Sequence, residues 1–324
     1  MMYHIIVNPA SKSGRGAKIW ALIEPVLQQK NIPYKVYFSD KAGHIIEIVR
    51  TLSVTVLPSS NEDLQLIVLG GDGTFNEALQ GITDFDRTRL GYIPTGSSND
   101  MARDLYDNKN PLAVLERILS CKEPMKMDIG HVTFENMTDE LSRKHTDTIL
   151  SSRYFGVSCG IGFDAAVCEE ALSSPFKNTL NKLGLGKLTY LGIALKQLIA
   201  ARKVTCDICI DDEETISLPR FLFVAGMIHQ YEGGGFKMCP GANCHDGVLD
   251  ICVLGNTPKW LILIALPSAF AGKHFIFPGV DRYAGKKLQL KTSVPLWVHT
   301  DGEVSVKANR LTLTCEKEKL LILI

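Results

Sequence analysis

Leu64-Gln65-Leu66-Ile67-Val68-Leu69-Gly70-Gly71-Asp72-Gly73-Thr74 joins a run of buried-strand character to three glycines, a carboxylate and a hydroxyl. Glycines let the backbone take positive φ and bring bare N–H groups against phosphate oxygens. A helix starting after Thr74 adds its positive N-terminal end. Asp72 cannot face a phosphate directly without repulsion, so it implies a bridging Mg²⁺, a bound water or a proton to be removed. The turn lacks the Lys-Ser/Thr ending of a P-loop and the glycine spacing of a dinucleotide turn. Taken alone, it also reads as a tight strand-to-helix turn with a capping Asp.

Outward from this turn, strands and helices alternate in short steps up to about residue 124. Apolar runs at Tyr3–Val7, Tyr34–Phe38, Leu64–Leu69 and Leu90–Ile93 predict strands. Segments near Lys18–Lys30, Gly43–Leu52, Phe75–Gln80 and Pro111–Ser120 predict helices. The alternation predicts an α/β domain with a parallel sheet covered on both faces, whose ligands bind outside the carboxyl ends of the strands. Two further loops repeat the strand-loop-helix logic: Asn8-Pro9-Ala10-Ser11-Lys12-Ser13-Gly14-Arg15-Gly16 and Pro94-Thr95-Gly96-Ser97-Ser98-Asn99-Asp100. The first of these, taken alone, also reads as a solvated turn; three such loops along one sheet edge favour a shared ligand.

After Met127-Asp128-Ile129-Gly130 the texture changes. β-like runs near Tyr154–Ser158, Val204–Ile210, Phe221–Ala225, Val248–Leu254, Leu288–Leu290 and Leu296–His299 predict a second, β-rich domain. Helices interrupt it from Phe163 to about Lys203 and over Trp260–Phe270, and the polar stretch Glu135–Ser152 reads as an insertion in a hairpin. The expected division is 1–124 and 125–324, with the C-terminal tail packing back on the first domain.

At 324 residues the chain is long enough for two cores. Lys plus Arg and Asp plus Glu both number 35, so no global basic field draws in nucleic acid. The nine cysteines form no disulfide-scaffold spacing, which points to a reducing cytoplasm. Cys206-x-x-Cys209 lies in a β-like run, where residues three apart point to opposite faces, against a metal role. Cys239 and Cys244-His245 keep a minority metal reading. The start enters a strand at once, with no signal-peptide pattern, and Trp260–Phe270 is too short to span a bilayer.

Two carboxylate groupings stand out. Asp246 and Asp250 lie at the start of a strand, where turn-forming roles and a structural cation are equally good readings. Asp301-Gly302-Glu303, if extended, projects two carboxylates to one face, pairing a proton acceptor with a group that orients it or holds a metal; a plain β-turn is the alternative.

Asn8-Pro9, Gly70–Thr74 with Asn76-Glu77, Pro94–Arg103, Gly233-Gly234-Gly235-Phe236-Lys237 with Asp246–Asp250, and Asp301-Gly302-Glu303 occur in that order. This series resembles the soluble bacterial diacylglycerol kinases and their relatives, among them sphingosine and ceramide kinases, over about residues 3–324. The resemblance implies an ATP-binding α/β domain, a β-sandwich-like lipid-substrate domain and an active site in the cleft between them. The ATP loops would be those of Asn8, Pro9 and Ser11, of Gly70, Gly71, Gly73 and Thr74, and of Thr95 and Gly96. Glu77 lies in the nucleotide-site motif, and Ser39 stands where a Thr is frequent. Asp72, Asp100 and Asp128 match a carboxylate, water and Mg²⁺ network, and Asp246 and Asp250 a structural-cation loop. Asp301 matches the general base, with Glu303 beside it.

The expected activity is transfer of the γ-phosphoryl of ATP, with Mg²⁺, to a lipid hydroxyl, foremost diacylglycerol to phosphatidic acid in phospholipid synthesis. Transient membrane-surface contact by a cytoplasmic, peripheral protein follows. Phe176-Lys177, Lys182, Lys187, Arg202-Lys203 and the Trp260 helix with Lys273-His274 are the candidate docking face. The rivals are an NAD kinase, which shares the Gly-Gly-Asp-Gly-Thr turn, and a catalytically silent lipid or nucleotide sensor. A homodimer stays open.

Overall fold

The computed structural model describes residues 2–59, 61–138, 151–173, 186–201 and 204–324. They divide into two compact units: Met1–Ile129 with Cys244–Asp246 and Glu316–Ile324, and Gly130–Asn243 with Gly247–Cys315.

The first unit is α/β. Strands β1 (Tyr3–Val7), β2 (Tyr34–Phe38), β3 (Leu64–Gly70) and β4 (Thr88–Pro94) alternate with helices α1 (Ser11–Gln29), α2 (His44–Val56), α3 (Asp72–Gly81), α4 (Asp100–Leu105) and α5 (Pro111–Ser120). The sheet is parallel in the order β2-β1-β3-β4. The last residues of the C-terminal strand β13 (Glu303–Leu323) extend it, Leu321–Leu323 running parallel to Arg89–Gly91. β1 and β3 are buried along their whole length, as near-continuous Val, Ile and Leu strands must be when helices cover both faces. Ile19, Ile23 and Leu27 of α1, Ile45, Val49 and Leu52 of α2, and Val114, Leu115 and Ile118 of α5 supply the covering stripes. Register places Val7 beside Leu69 and Leu69 beside Ile93, so the loops after β1, β3 and β4 leave the sheet side by side.

The second unit is β-rich. It holds most of β5 (Met125–Thr138), then β6 (Ser152–Phe155), β7 (Ser158–Gly162), α6 (Phe163–Ser173), α7 (Gly186–Ala200), β8 (Val204–Ile210), β9 (Ile216–Met227), β10 (Leu249–Gly255), α8 (Lys259–Ala269), β11 (Val280–Gly285), β12 (Lys287–Thr300) and the first part of β13. Its strands run β11-β10-β9-β7-β12-β13, with β8 pairing both β12 and β9, and the registered pairs are antiparallel. β5 and β6 form a hairpin in which Thr133 faces Ser152; residues 139–150 of the expected insertion lie outside the described residues.

The run expected as one strand over Tyr154–Ser158 is broken at Gly156 and Val157. Their N–H groups donate to a side chain instead of a neighbouring strand, as described below.

Candidate active site

The loop after β1 has left-handed backbone at Lys12, Ser13 and Gly14 (φ 42°, 56° and 91°), so α1 becomes regular only beyond them. Three hydrogen bonds brace it against its neighbours. Asn8 Nδ2 donates to Thr74 Oγ1 at 3.0 Å, Ser11 Oγ and Thr95 Oγ1 are 2.7 Å apart, and the Asn8 N–H donates to Leu69 O at 3.0 Å. The Thr95 N–H donates to Gly70 O at 2.7 Å, closing the third loop onto the second.

Gly71 and Gly96 meet backbone to backbone. A Cβ on Gly96 would lie 2.5 Å from the Gly71 Cα, and one on Gly70 would overlap the Thr74 side chain. The backbones of these loops are therefore packed as closely as glycine allows. Gly71 precedes α3 in extended conformation (φ −95°), and Asp72, Gly73 and Thr74 form that helix's first turn.

The other expected residues fall into distinct environments. Pro9 O accepts from the Ala17 N–H, and the Ser39 N–H donates to Val7 O, fixing the loop after β2 to the end of β1. Glu77 faces the N-terminus of α2, where its two oxygens accept from the N–H groups of Gly43 (3.0 Å) and Ile45 (3.3 Å); that is an anion placed on a helix's positive end. Asp100 is buried at the start of α4 with Arg103 3.5 Å away. Asp128 is fully buried, and its Oδ1 accepts from the Glu318 N–H at 2.7 Å.

Asp250 carries an ion pair that sequence did not reveal: its Oδ1 accepts from Arg282 Nη2 at 2.5 Å and Nε at 3.1 Å. Asp246 belongs to the first unit and Asp250 to the second. Cys206 is buried and Cys209 half-buried on the opposite face of β8. Burial pushes Cys244 up to about 12 and Cys239 well above the usual thiol range.

Asp301-Gly302-Glu303 is not extended. Asp301 (φ 52°) and Gly302 (φ 81°) are the two loop residues of the β12–β13 hairpin, with Thr300 paired to Glu303. Asp-Gly is a preferred pair for such a turn because both positions require positive φ. The Asp301 carboxylate curls back onto the break between β6 and β7. Its Oδ2 accepts from the Gly156 N–H at 2.9 Å, and its Oδ1 from Val157 at 2.7 Å and Ser158 at 3.0 Å. Three charge-assisted hydrogen bonds fix its position. The corrected geometry thus replaces a side-by-side carboxylate pair with one anchored carboxylate.

Sequence reading missed a buried cluster beside this turn. His299 Nε2 lies 3.1 Å from Asp164 Oδ2 and 3.0 Å from Glu232 Oε1. The three residues stand on β12, at the start of α6 and before the triple-glycine turn, too far apart in sequence for any spacing to signal them.

Residues 2–132 match the family described as "Diacylglycerol kinase catalytic domain", and residues 157–323 the one described as "YegS C-terminal NAD kinase beta sandwich-like domain". The chain belongs to the diacylglycerol kinase family of lipid kinases. It is 28% identical over 306 residues to "Putative lipid kinase YtlR" of Bacillus subtilis, covering 93% of each chain. It is 27% identical over 239 residues to a diacylglycerol kinase of Mycobacterium tuberculosis, covering 74% of this chain and 70% of that one. The fold matches the crystal structure of a diacylglycerol kinase from Bacillus anthracis with a TM-score of 0.70 at 20% identity, over 99% of this chain and 96% of the other. The glycine turn after β3 lies in the part of the chain that matches the kinase catalytic domain, and the Asp301 turn in the part that matches the second domain.

Proposed function

We propose that this lipid kinase family member transfers the γ-phosphoryl of ATP to the hydroxyl of a membrane lipid, with diacylglycerol as the foremost acceptor. The observation that carries the reading is the braced edge of the parallel sheet, where Asn8–Thr74, Ser11–Thr95 and the Gly71–Gly96 contact hold three loops together. Such a cradle, with backbone N–H groups and the start of α3 beside it, suits a polyphosphate. Phosphoryl transfer depends chiefly on positioning and charge neutralisation.

The carboxylates of Asp72 and Asp100, both in first turns of helices, are the oxygen donors a hard cation takes. Mg²⁺ bound there would neutralise phosphate charge. Asp128, whose Oδ1 accepts from the Glu318 N–H, would be the third carboxylate of this group. Asp301, held in place by its three backbone donors, accepts the acceptor's hydroxyl proton, and Glu303 opens the strand after the same turn.

An apolar acceptor suits a cavity of about 290 Å³ in the second unit, lined among others by Phe163, Ala166, Phe221, Leu222, Leu296 and Trp297. Contact with a membrane surface is supported by an exposed apolar face: Trp260, Leu263 and Ile264 of α8, with Phe270 and Ile276 beyond it. Among the described residues no helix is long and apolar enough to cross a membrane. His274 is no part of a basic face. It is buried, its Nε2 bonds Met238 O at 3.0 Å, and burial lowers its titration below the histidine range. Phe176-Lys177, Lys182 and Arg202-Lys203 lie outside the described residues, as does the side chain of Lys187.

The test is turnover with ATP and Mg²⁺ against diacylglycerol in mixed micelles, other lipid alcohols and NAD. Labelling of NAD instead of lipid would overturn the reading.

A further inference from the structure

Asp164, Glu232 and His299 form a site built with evident structural outlay. His299 is fully buried, and the Asp164 and Glu232 side chains are 12% and 13% exposed. Gly160, directly opposite His299 across the β7–β12 pairing, leaves the space they fill, because a Cβ there would overlap Asp164 Oδ2 and His299 Nε2. Glu232 is set by a tight loop in which Glu232 and Phe236 exchange backbone hydrogen bonds of 2.9 and 3.0 Å. Gly233, Gly234 and Gly235 between them all take positive φ.

The group could be read as a metal site, since two oxygens and one nitrogen converge. One further bond decides otherwise. The Gly302 N–H donates to His299 Nδ1 at 3.2 Å. A nitrogen that accepts carries no hydrogen, so the ring's proton is on Nε2, between the two carboxylates, and Nε2 has no lone pair to offer a metal. A neutral imidazole beside two carboxylates would leave two negative charges in a buried site, which is costly unless one carboxyl keeps a proton.

We propose that Asp164, Glu232 and His299 are a proton-sharing positioning cluster: His299, neutral with its hydrogen on Nε2, holds the Asp301–Gly302 turn through Nδ1, while the two carboxyls share one further proton. The functional part rests on the assignment of Asp301 to the acceptor hydroxyl. Gly302 follows Asp301 directly, so the cluster anchors the turn from one side as the N–H groups of residues 156–158 anchor it from the other.

Burial raises the Asp164 carboxyl. Burial opposes charge at His299 while Glu232 and Asp164 favour it, so the three groups together hold one extra proton above the ordinary histidine range. The other titratable groups facing it do not compete. Burial pushes the Cys168 thiol up to about 12 and that of Cys159 higher, and Asp301 is engaged by its backbone donors. When alkali removes the shared proton, two anions face one N–H, and the turn loses its support.

The direct test is ¹⁵N-histidine NMR of the full chain, with His299→Gln assigning the resonance. The Nε2–H neutral tautomer is expected across neutral pH; an imidazolium or an Nδ1–H tautomer overturns the proposal. The second readout is the pH profile of phosphoryl transfer. Wild type should lose activity on the alkaline side, and Glu232→Gln, which needs no shared proton, should move that limb up by about one pH unit or more. Asp164→Asn, its fold checked by circular dichroism, should do the same, and an unmoved limb in both variants overturns the proposal. If wild type phosphorylates no acceptor, the kinase reading fails, while the tautomer still decides the cluster.

Discussion

Ser11 and Thr95 hold their hydroxyl oxygens 2.7 Å apart, so the loop after β1 reaches the loop after β4 across the glycine turn that follows β3. The contact spans 84 residues of sequence and makes one rim of three loops. Its tightest point is Gly71 against Gly96.

Gly96→Ala should therefore injure nucleotide binding before it injures the fold. The added Cβ would stand 2.5 Å from the Gly71 Cα, and the backbone has to move. Overpacking of this kind costs about 1–3 kcal/mol, and about 1.4 kcal/mol is a factor of ten. The expectation is a rise of about tenfold in KM for ATP, with KM for lipid nearly unchanged. Steady-state kinetics over both substrates, with circular dichroism, measures it.

Asp72→Asn and Asp301→Asn should both abolish turnover, for separable reasons. Asp72 stands in the first turn of α3 beside the loop rim, so its loss should weaken nucleotide and Mg²⁺ organisation and raise KM for ATP. Loss of a general base costs about a hundred- to ten-thousand-fold, so Asp301→Asn should lower kcat by that amount and leave KM for ATP nearly unchanged. It should also lower the melting temperature, because the carboxylate ties three N–H groups between β6 and β7. Retention of more than about a tenth of wild-type kcat would remove Asp301 from the base's role.

Stability should fall as pH rises. The proton shared by Asp164, Glu232 and His299 is held in the folded protein above the ordinary histidine value of 6.5. The stabilisation linked to that proton is fully present below the unfolded value and is lost as pH climbs through the folded one. Thermal denaturation from about pH 6 to about pH 10 should show this decline, and Glu232→Gln should flatten it. A wild-type melting temperature that rises over the same range would contradict the linkage.

Trp260→Ala with Ile264→Ala should weaken binding to lipid vesicles and turnover on them, because these side chains are 63% and 55% exposed on α8. Activity on a short-chain, water-soluble acceptor should stay near wild type. Vesicle co-sedimentation beside both assays checks this. Equal loss on the two kinds of acceptor would make the helix face a structural feature instead.

The parallel sheet was legible because its strands are short apolar runs and its loops carry glycine and hydroxyl residues at strand ends, both local signals. Tyr3–Val7, for example, spans the same residues in sequence and structure. The Asp301-Gly302-Glu303 segment was read as extended, since only the backbone shows that Asp301 and Gly302 both take positive φ. The Arg282–Asp250 pair and the Asp164–Glu232–His299 cluster were invisible, for they are made by antiparallel pairing between distant segments, to which periodicity is blind. Glu77 shows the converse: a motif residue whose carboxylate serves the N-terminus of α2.

The most direct test of the account is one incubation with γ-labelled ATP and Mg²⁺, offered diacylglycerol in mixed micelles alongside NAD. The account predicts label in the lipid product, none in NAD, and none in either with Asp72→Asn; label in NAD, or an unlabelled lipid across a panel of lipid alcohols, would contradict it.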